Sequence, residues 1–361
     1  MTENFEPQVS SFARDEDALL VGLDMGTSRS AVASINGVRK VVESYVGWPK
    51  DAVALRYIKK DIVFGTEALN NRLSLNLFRP LEKGVLKASL EDETGAETGD
   101  DKMNNKAAAK ELIRHLVHTA KPERDQKVYG VIGVPAQASI RSKQAMIDAA
   151  KDSIDAVMLV SQPFAVAYGM GMLDASMVVD IGAGTVDICR MHGTVPTEED
   201  QISLTCAGDF IDNKFAELLR SKYPKAQFTL NMLKKIKESH AFVTGEVERV
   251  MVKLPTEGKP MEYDVTEELK TASESIIDEI DQALHALIAN FDPEFQSRLR
   301  SNVILSGGGS QIIGLALRLQ EKLQDMGGAN VYSVEEPVFA GANGALQLAI
   351  DMPDEYWQKL S

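Results

Sequence analysis

The sequence predicts an α/β fold made of two related halves, and three observations carry that expectation. Residues 19–35 (LLVGLDMGTSRSAVASI) and 177–191 (MVVDIGAGTVDICRM) share one pattern: an apolar run ending in Asp, a glycine-containing turn, and a second alternating run. Their lead acids, Asp24 and Asp180, lie 156 positions apart in a chain of 361 residues, the spacing of a duplicated unit. Elsewhere short β-branched runs alternate with helical periodicities, the order of an α/β protein.

In each copy, period-2 alternation on both sides of the turn predicts a β-hairpin with the acid at the end of its first strand. Further strands are expected at 127–135 (KVYGVIGVP) and 302–308 (NVILSGG), short β-branched runs that end in turn residues. Helices are expected over 106–119, 139–151, 210–222, 230–242, 267–290, 312–325 and 341–351. The longest carries Leu269, Ile276, Ile277, Ile280, Leu284 and Leu287 at three- and four-residue spacing, a stripe read as core packing in preference to a coiled coil. Residues 90–105 (LEDETGAETGDDKMNN) are acidic and poor in apolar side chains, which predicts an exposed loop.

The chain is long enough for two cores, and 44% hydrophobic with 25% charged residues is an ordinary globular composition. A formal net charge of -14 argues against nucleic acid and anionic membrane surfaces as partners, since phosphate binding calls for clustered Lys and Arg. Cys189 and Cys206 form no Cys-x-x-Cys, so neither a disulfide framework nor a zinc knuckle is implied, and a reducing cytoplasm fits. Residues 1–18 are acidic without an apolar core, which reads as a mobile tail and not a signal peptide. The most apolar region, 154–188, is interrupted by Gln162, Pro163, Asp174 and Asp180, so no membrane insertion is expected.

Glycine admits positive φ and lets phosphate oxygens approach main-chain N–H groups with no Cβ between. The tips GTSRS (26–30) and GAGT (182–185) are thus expected to clasp a polyphosphate from two sides, with hydroxyls from Thr27, Ser28 and Thr185. Carboxylates beside phosphates repel them unless a divalent cation intervenes, and Mg²⁺ keeps its waters while held by one or two acids. Asp24 and Asp180 are read as holders of hydrated Mg²⁺, and Asp187, on the outgoing strand, as a residue that orients the turn. No Walker A pattern occurs, so a P-loop is not expected. A third glycine cluster, ILSGGGSQIIG (304–314), suits a planar base or an α-phosphate near a helix start. His115 and His118 lie one helical turn apart but lack a third ligand, and His192, His240 and His285 read as isolated. Tyr356 and Trp357 are expected to pack against the body.

The segments LDMGTSRS, VVDIGAGTVDI and LSGGGSQI resemble the phosphate 1, phosphate 2 and adenosine motifs of the actin, Hsp70 and sugar kinase superfamily. VIGVPAQASIRSKQAMIDAA and FAGANGALQLA resemble its two connecting segments, and AGDFIDNKF and IKESHAFV match its actin-like members. The motifs span residues 19–351 in family order, and YVGWPKDAVALRY, RPLEKGVL and PDEYWQKL are similar to the bacterial actins of magnetosome filaments. The resemblance implies an actin-like two-domain fold, duplicated ribonuclease H-like domains with a nucleotide cleft between them. Its expected boundaries are a tail over 1–18, domain I over 19–160 with a small subdomain about 45–115 and a C-terminal return about 340–361, and domain II over 161–339 with a small subdomain about 209–285. It also implies a cytoplasmic filament that binds ATP or ADP with Mg²⁺, hydrolyses ATP slowly, assembles with itself and works with magnetosome-associated adaptor proteins.

Carried over by position, Asp24 and Asp180 would hold the Mg²⁺ hydration shell. Gly26, Thr27, Ser28, Gly182, Gly184 and Thr185 would contact phosphates. Gly208, Lys237 and Glu238 would meet ribose and base, with Gly307, Gly308 and Gln311 completing the nucleoside pocket. The implied catalytic set is Gln162, Asp180 and Asp24. Bacterial relatives usually carry Glu where this chain has Gln162, whereas eukaryotic actins have Gln; an amide cannot serve as a general base but can orient water. Two other readings stay open: a small-molecule kinase of the same superfamily, which would need a sugar pocket and an Asp base, and a non-hydrolysing scaffold locked by its nucleotide. An Hsp70-type chaperone would need a peptide-binding domain after the ATPase, for which a chain ending at Ser361 is not expected to have room.

Overall fold

The computed structural model describes residues 17–89, 99–245 and 248–360. The expected tail, apart from its last two residues, and residues 90–98 of the acidic segment lie outside them. The chain opens with β1 (Leu19–Met25), β2 (Arg29–Ser34), β3 (Arg39–Glu43), β4 (Val46–Pro49), α1 (Ala52–Ile58), β5 (Val63–Phe64) and α2 (Gly65–Asn70). It continues through β6 (Leu75–Phe78), β7 (Leu81–Glu82), β8 (Val85–Leu86), α3 (Gly99–Thr119), β9 (Val128–Val134), α4 (Ile140–Ala150), β10 (Ala156–Ser161) and α5 (Gln162–Gly169). Then come β11 (Asp174–Ile181), β12 (Val186–His192), β13 (Gln201–Leu204), α6 (Gly208–Lys222), α7 (Leu230–His240), β14 (Met251–Thr256) and β15 (Lys259–Asp264). The last are α8 (Thr266–Glu274), α9 (Ile277–Ala289), α10 (Pro293–Arg300), β16 (Val303–Ser306), α11 (Leu315–Lys322), β17 (Val331–Ser333), α12 (Ala340–Asp351) and α13 (Asp354–Leu360).

Two five-stranded sheets have the same topology: β10-β9-β1-β2-β3 in one, and β17-β16-β11-β12-β13 in the other. The duplication seen in sequence is therefore a duplication of fold. Both expected hairpins form, with Asp24 opposite Ala31 on β2 and Asp180 opposite Asp187 on β12. The central strands β1 and β11 are flanked by a parallel neighbour on one side and the antiparallel hairpin partner on the other. Alternation gives each sheet two apolar faces. Leu19, Val21, Leu23 and Met25 pack outward with α3 and α4, and Met177, Val179 and Ile181 pack outward with α6, α8 and α9. Leu20 and Val178 point inward to a middle layer that contains α5 and α12.

This middle layer depends on bare backbone. A Cβ on Gly344 of α12 would lie 1.8 Å from the Ala165 carbonyl oxygen of α5, and one on Gly169 would lie 2.8 Å from the Gly344 Cα. A Cβ on Gly22 of β1 would lie 2.2 Å from the Ala342 carbonyl oxygen. Side chains at these three positions would push the helix pair off the sheet. Trp357 of α13 closes the layer, 1% exposed and stacked on Tyr129 at 5.3 Å, as expected, whereas Tyr356 is exposed.

Three helix expectations change. The span 267–290 is two helices, broken at Ser275 and Ile276. The hydroxyl of Ser273 donates to the Leu269 carbonyl and that of Ser275 to the Ala272 carbonyl, side-chain bonds that compete with the helix ladder. The apolar stripe survives the break, because all six of its residues are buried in the core, as the packing reading required. The helix expected from 312 begins at Leu315, since Ile313 pairs with the backbone of Ala241 and Val243 and Gly314 turns the chain at φ 80°. Residues 99–105, expected as loop, form the first turns of α3. Apolar periodicity starts later than the helix does, and a first turn needs no apolar residue.

A branched side chain at the α5–α12 contact tests how much rests on it. Gly344→Val is expected to lower unfolding stability by on the order of 3 kcal/mol, or to prevent folding. Urea denaturation followed by circular dichroism measures this; an unshifted midpoint contradicts the packing account.

Candidate functional site

The two hairpin tips meet. Gly184 lies so close to Thr27 that a Cβ on it would sit 2.3 Å from the Thr27 hydroxyl oxygen. That oxygen accepts a hydrogen bond from the Gly84 amide at 2.8 Å, which places the β7–β8 turn over both tips. The second tip is closed by Gly182 N–H donating to the Thr185 carbonyl at 2.9 Å, and the start of α6 docks on it through the Gly208 and Asp209 amides. The result is a cavity of about 380 Å³ in which every site residue named from the sequence takes part in the lining, from Asp24 and Gln162 to Gln311.

At one end stand the carboxylates. Asp24 accepts a hydrogen bond from the Gln162 side-chain amide at 2.6 Å, and Asp180 one from the Ser306 hydroxyl at 2.6 Å. Withdrawal from water raises Asp24 to about 6, with the Asp187 charge adding to the rise and the Gln162 bond opposing it. Burial and then the Asp24 charge raise Asp180 to about 7. Asp187 is raised by burial and lowered by bonds from Ser203, Thr185 and the Ala136 amide. Asp187 Oδ1 accepts from Ala136 N–H at 2.9 Å and from the Ser203 hydroxyl, fastening the segment after β9 to the other sheet. Gln137 extends the fastening, donating to the Gln201 carbonyl at 2.9 Å and accepting from Ser203 N–H at 3.2 Å.

At the other end α7 supplies Lys237 and Glu238. Lys237 donates to the Gly208 carbonyl at 2.7 Å and pairs with Asp212 at 2.8 Å, so it is held against α6. Glu238 pairs with Arg29 from the first hairpin at 2.6 Å. Ile312, Ile313, Pro337 and Val338 give this end an apolar wall beside the glycines 307–309, fit for a flat ring. Sequence reasoning left out Arg29, Lys234, Asp212, Pro337 and Val338. Arg29 lies inside the quoted tip and its charge was a visible signal; the others reach the cavity only through tertiary folding.

The histidines take structural places. His115 stacks on Phe64 at 4.1 Å, and among the described residues no group of three or more His, Cys, Asp or Glu side chains is placed to hold a metal ion by itself. His285, expected to be isolated, lies 3.2 Å from both Asp281 and Asp325, and His192 lies 3.2 Å from Asp200. No helix among the described residues is long and apolar enough to cross a membrane.

Known proteins are similar to this chain in sequence and fold. A family model described as MreB/Mbl protein matches residues 99–355. The actin-like protein MamK of Paramagnetospirillum magneticum (strain AMB-1) is 37% identical over 345 residues, covering 96% of either chain. Among solved structures, a MamK double helical filament superposes with a TM-score of 0.87 at 38% identity, covering 93% of this chain and 100% of that one. A non-polymerising MamK mutant bound to AMPPNP gives 0.69 at 37% identity, covering 93% and 99%. Sheet topology, cavity and sequence agree, and the chain belongs to the MreB/Mbl family of actin-like proteins, among its MamK members.

Proposed function

We propose that this protein binds Mg·ATP in the cleft, assembles head to tail into filaments, hydrolyses ATP slowly within them, and thereby organises magnetosomes into a chain in the cytoplasm with the help of adaptor proteins. The observation that carries the reading is the convergence of two glycine tips and two carboxylates on one cavity. The chemistry of the lining fits the ligand. The Ser28 hydroxyl oxygen is buried without a partner, a donor left for a phosphate oxygen. A Cβ on Gly308 would meet nothing within 4 Å, so the chain leaves open space beside its backbone there. Buried carboxylates raised to about 6 and about 7 are acids short of a counter-charge, which a divalent cation supplies. The relatives fit too: one superposing structure is a filament and another holds AMPPNP. At nearly equal identity this chain lies nearer the filament subunit, which supports a conformation suited to assembly.

In this reading Asp24 and Asp180 would hold Mg²⁺ through its waters, and the bound ion would neutralise charge developing on the phosphates. The tip N–H groups and the hydroxyls of Thr27, Ser28 and Thr185 orient the phosphate chain. Gln162 directs its amide NH₂ to Asp24, which leaves its carbonyl oxygen as an acceptor for a water proton. An amide positions water without removing its proton, which accounts for slow turnover. Head-to-tail contacts repeat without closing, so one cleft per subunit becomes a filament with one nucleotide per repeat.

Pelleting and phosphate release with ATP test the reading together: a filament ATPase does both, a locked scaffold pellets without releasing phosphate, and a kinase needs an acceptor. Asp180→Ala is expected to weaken Mg·ATP binding by about 10–100-fold and to abolish assembly; normal pelleting would remove the site. Gln162→Ala is expected to keep assembly while slowing phosphate release on the order of tenfold or more. In cation-free protein the raised folded-state pKa of Asp180 favours the acid form, so its contribution to stability is complete near pH 4 and is lost as pH rises through about 7. Asp180→Asn is therefore expected to melt on the order of a few degrees above wild type at pH 8, with the gap closing toward pH 5. Mg·nucleotide is expected to stabilise the wild type alone; calorimetric scans across pH read both effects.

A further inference from the structure

The mouth of the cleft carries four charges in a crossed arrangement. Arg29 and Glu43 stand opposite each other on β2 and β3, while Lys234 and Glu238 lie one turn apart on α7. Arg29 Nε donates to Glu43 Oε1 at 3.0 Å and its Nη2 to Glu238 Oε2 at 2.6 Å. Lys234 Nζ donates to Glu43 Oε2 at 2.8 Å and lies 3.9 Å from Glu238 Oε1. Each cation thus touches both anions, and two of the contacts, Arg29 with Glu238 and Lys234 with Glu43, run from one sheet's hairpin to the other half's helix. The four side chains are between 14% and 34% exposed, so they are screened less than surface pairs. Burial pushes the Glu43 carboxyl up, but Lys234 and Arg29 outweigh it and hold the group below the usual range.

Arg29, Lys234 and Glu238 line the cavity, whereas Glu43 holds both cations from behind without lining it. The walls cannot part at this end without breaking both cross-cleft contacts, and Glu238 cannot turn without leaving Arg29. We propose that these four residues form a clasp that keeps the cleft shut over bound nucleotide and sets how fast it leaves, with Arg29 positioning Glu238 for the ribose. The clasp rests on the nucleotide-binding reading above.

Glu43→Gln removes the anion that joins the two cations without touching the lining. Release of a fluorescent ATP analogue, chased with unlabelled ATP in a stopped-flow instrument, is expected to accelerate at least about fivefold in this variant, while the association rate does not fall. Glu43→Asp, which keeps the charge, is expected to recover most of the slow release. Wild-type release is expected to accelerate as salt rises from about 0.05 to 0.5 M, over which exposed charges become screened, and this dependence is expected to flatten in Glu43→Gln. Unchanged release in Glu43→Gln overturns the clasp, as does a lowered association rate, which marks general damage to the site. Should the variant fail to fold, the wild-type titration decides, and salt-insensitive release overturns the clasp. Absence of analogue binding by wild-type protein overturns the nucleotide reading and the clasp with it, a result distinct from intact binding with unaltered release.

Discussion

Two carboxyl groups, those of Asp24 and Asp180, are held at the ends of the central strands of two sheets and face a common space. The fold goes to some length to place them. Each has a glycine at its back: a Cβ on Gly341 would lie 2.7 Å from an Asp24 carboxylate oxygen, and one on Gly307 2.9 Å from an Asp180 oxygen. Each also accepts one short hydrogen bond from a neighbour, Gln162 or Ser306. Those bonds orient the carboxylates but do not neutralise them, so a positive species completes the site electrostatically. The strand order, the glycines and the choice of second-strand residues can all be understood as consequences of keeping these acids close and oriented.

Much of this was legible in the chain because the signals were local and repeated. The acid, the glycine turn and the alternating strand fall within about a dozen residues, and two copies of the pattern gave the hairpins, the duplicated sheet and the lining residues of both tips. The resemblance to actin-like motifs supplied the nucleoside end, and Gly208, Lys237, Glu238, Gly307, Gly308 and Gln311 all reach the cavity. What could not be read arises from partners distant in sequence. Ile313 leaves the helical pattern because it pairs with Ala241 and Val243 some seventy positions earlier. Arg29 has no partner within its own turn, and its role shows only when α7 brings Glu238 to it across 209 positions. The break at Ser275 was locally encoded, but an unbroken apolar stripe concealed it: the stripe reports which face is buried and says nothing of backbone continuity.

Two kinds of joint connect the sheets, and they differ in physical character. At the mouth, charged side chains reach across on flexible stems, contacts that salt weakens. At the base, the Ala136 amide bonds to the Asp187 carboxylate, the Gln137 side chain bonds to the backbone of Gln201 and Ser203, and α5 lies backbone to backbone against α12 with no side chain between Gly169 and Gly344. Close-packed contacts of this second kind have little give, because every small displacement meets a repulsive wall or leaves a void.

That difference decides what sort of motion the molecule can make. A glycine-to-glycine crossing works as an axle: it resists sliding yet allows pivoting, since no interlocked side chains need to climb past one another. Displacement about an axle grows with distance from it. Were the walls beside Asp24 and Asp180 to close about that axle, α1 and the sheet of β4, β5 and β6, where Val53, Tyr57 and Leu73 stand in the open, would be carried with them.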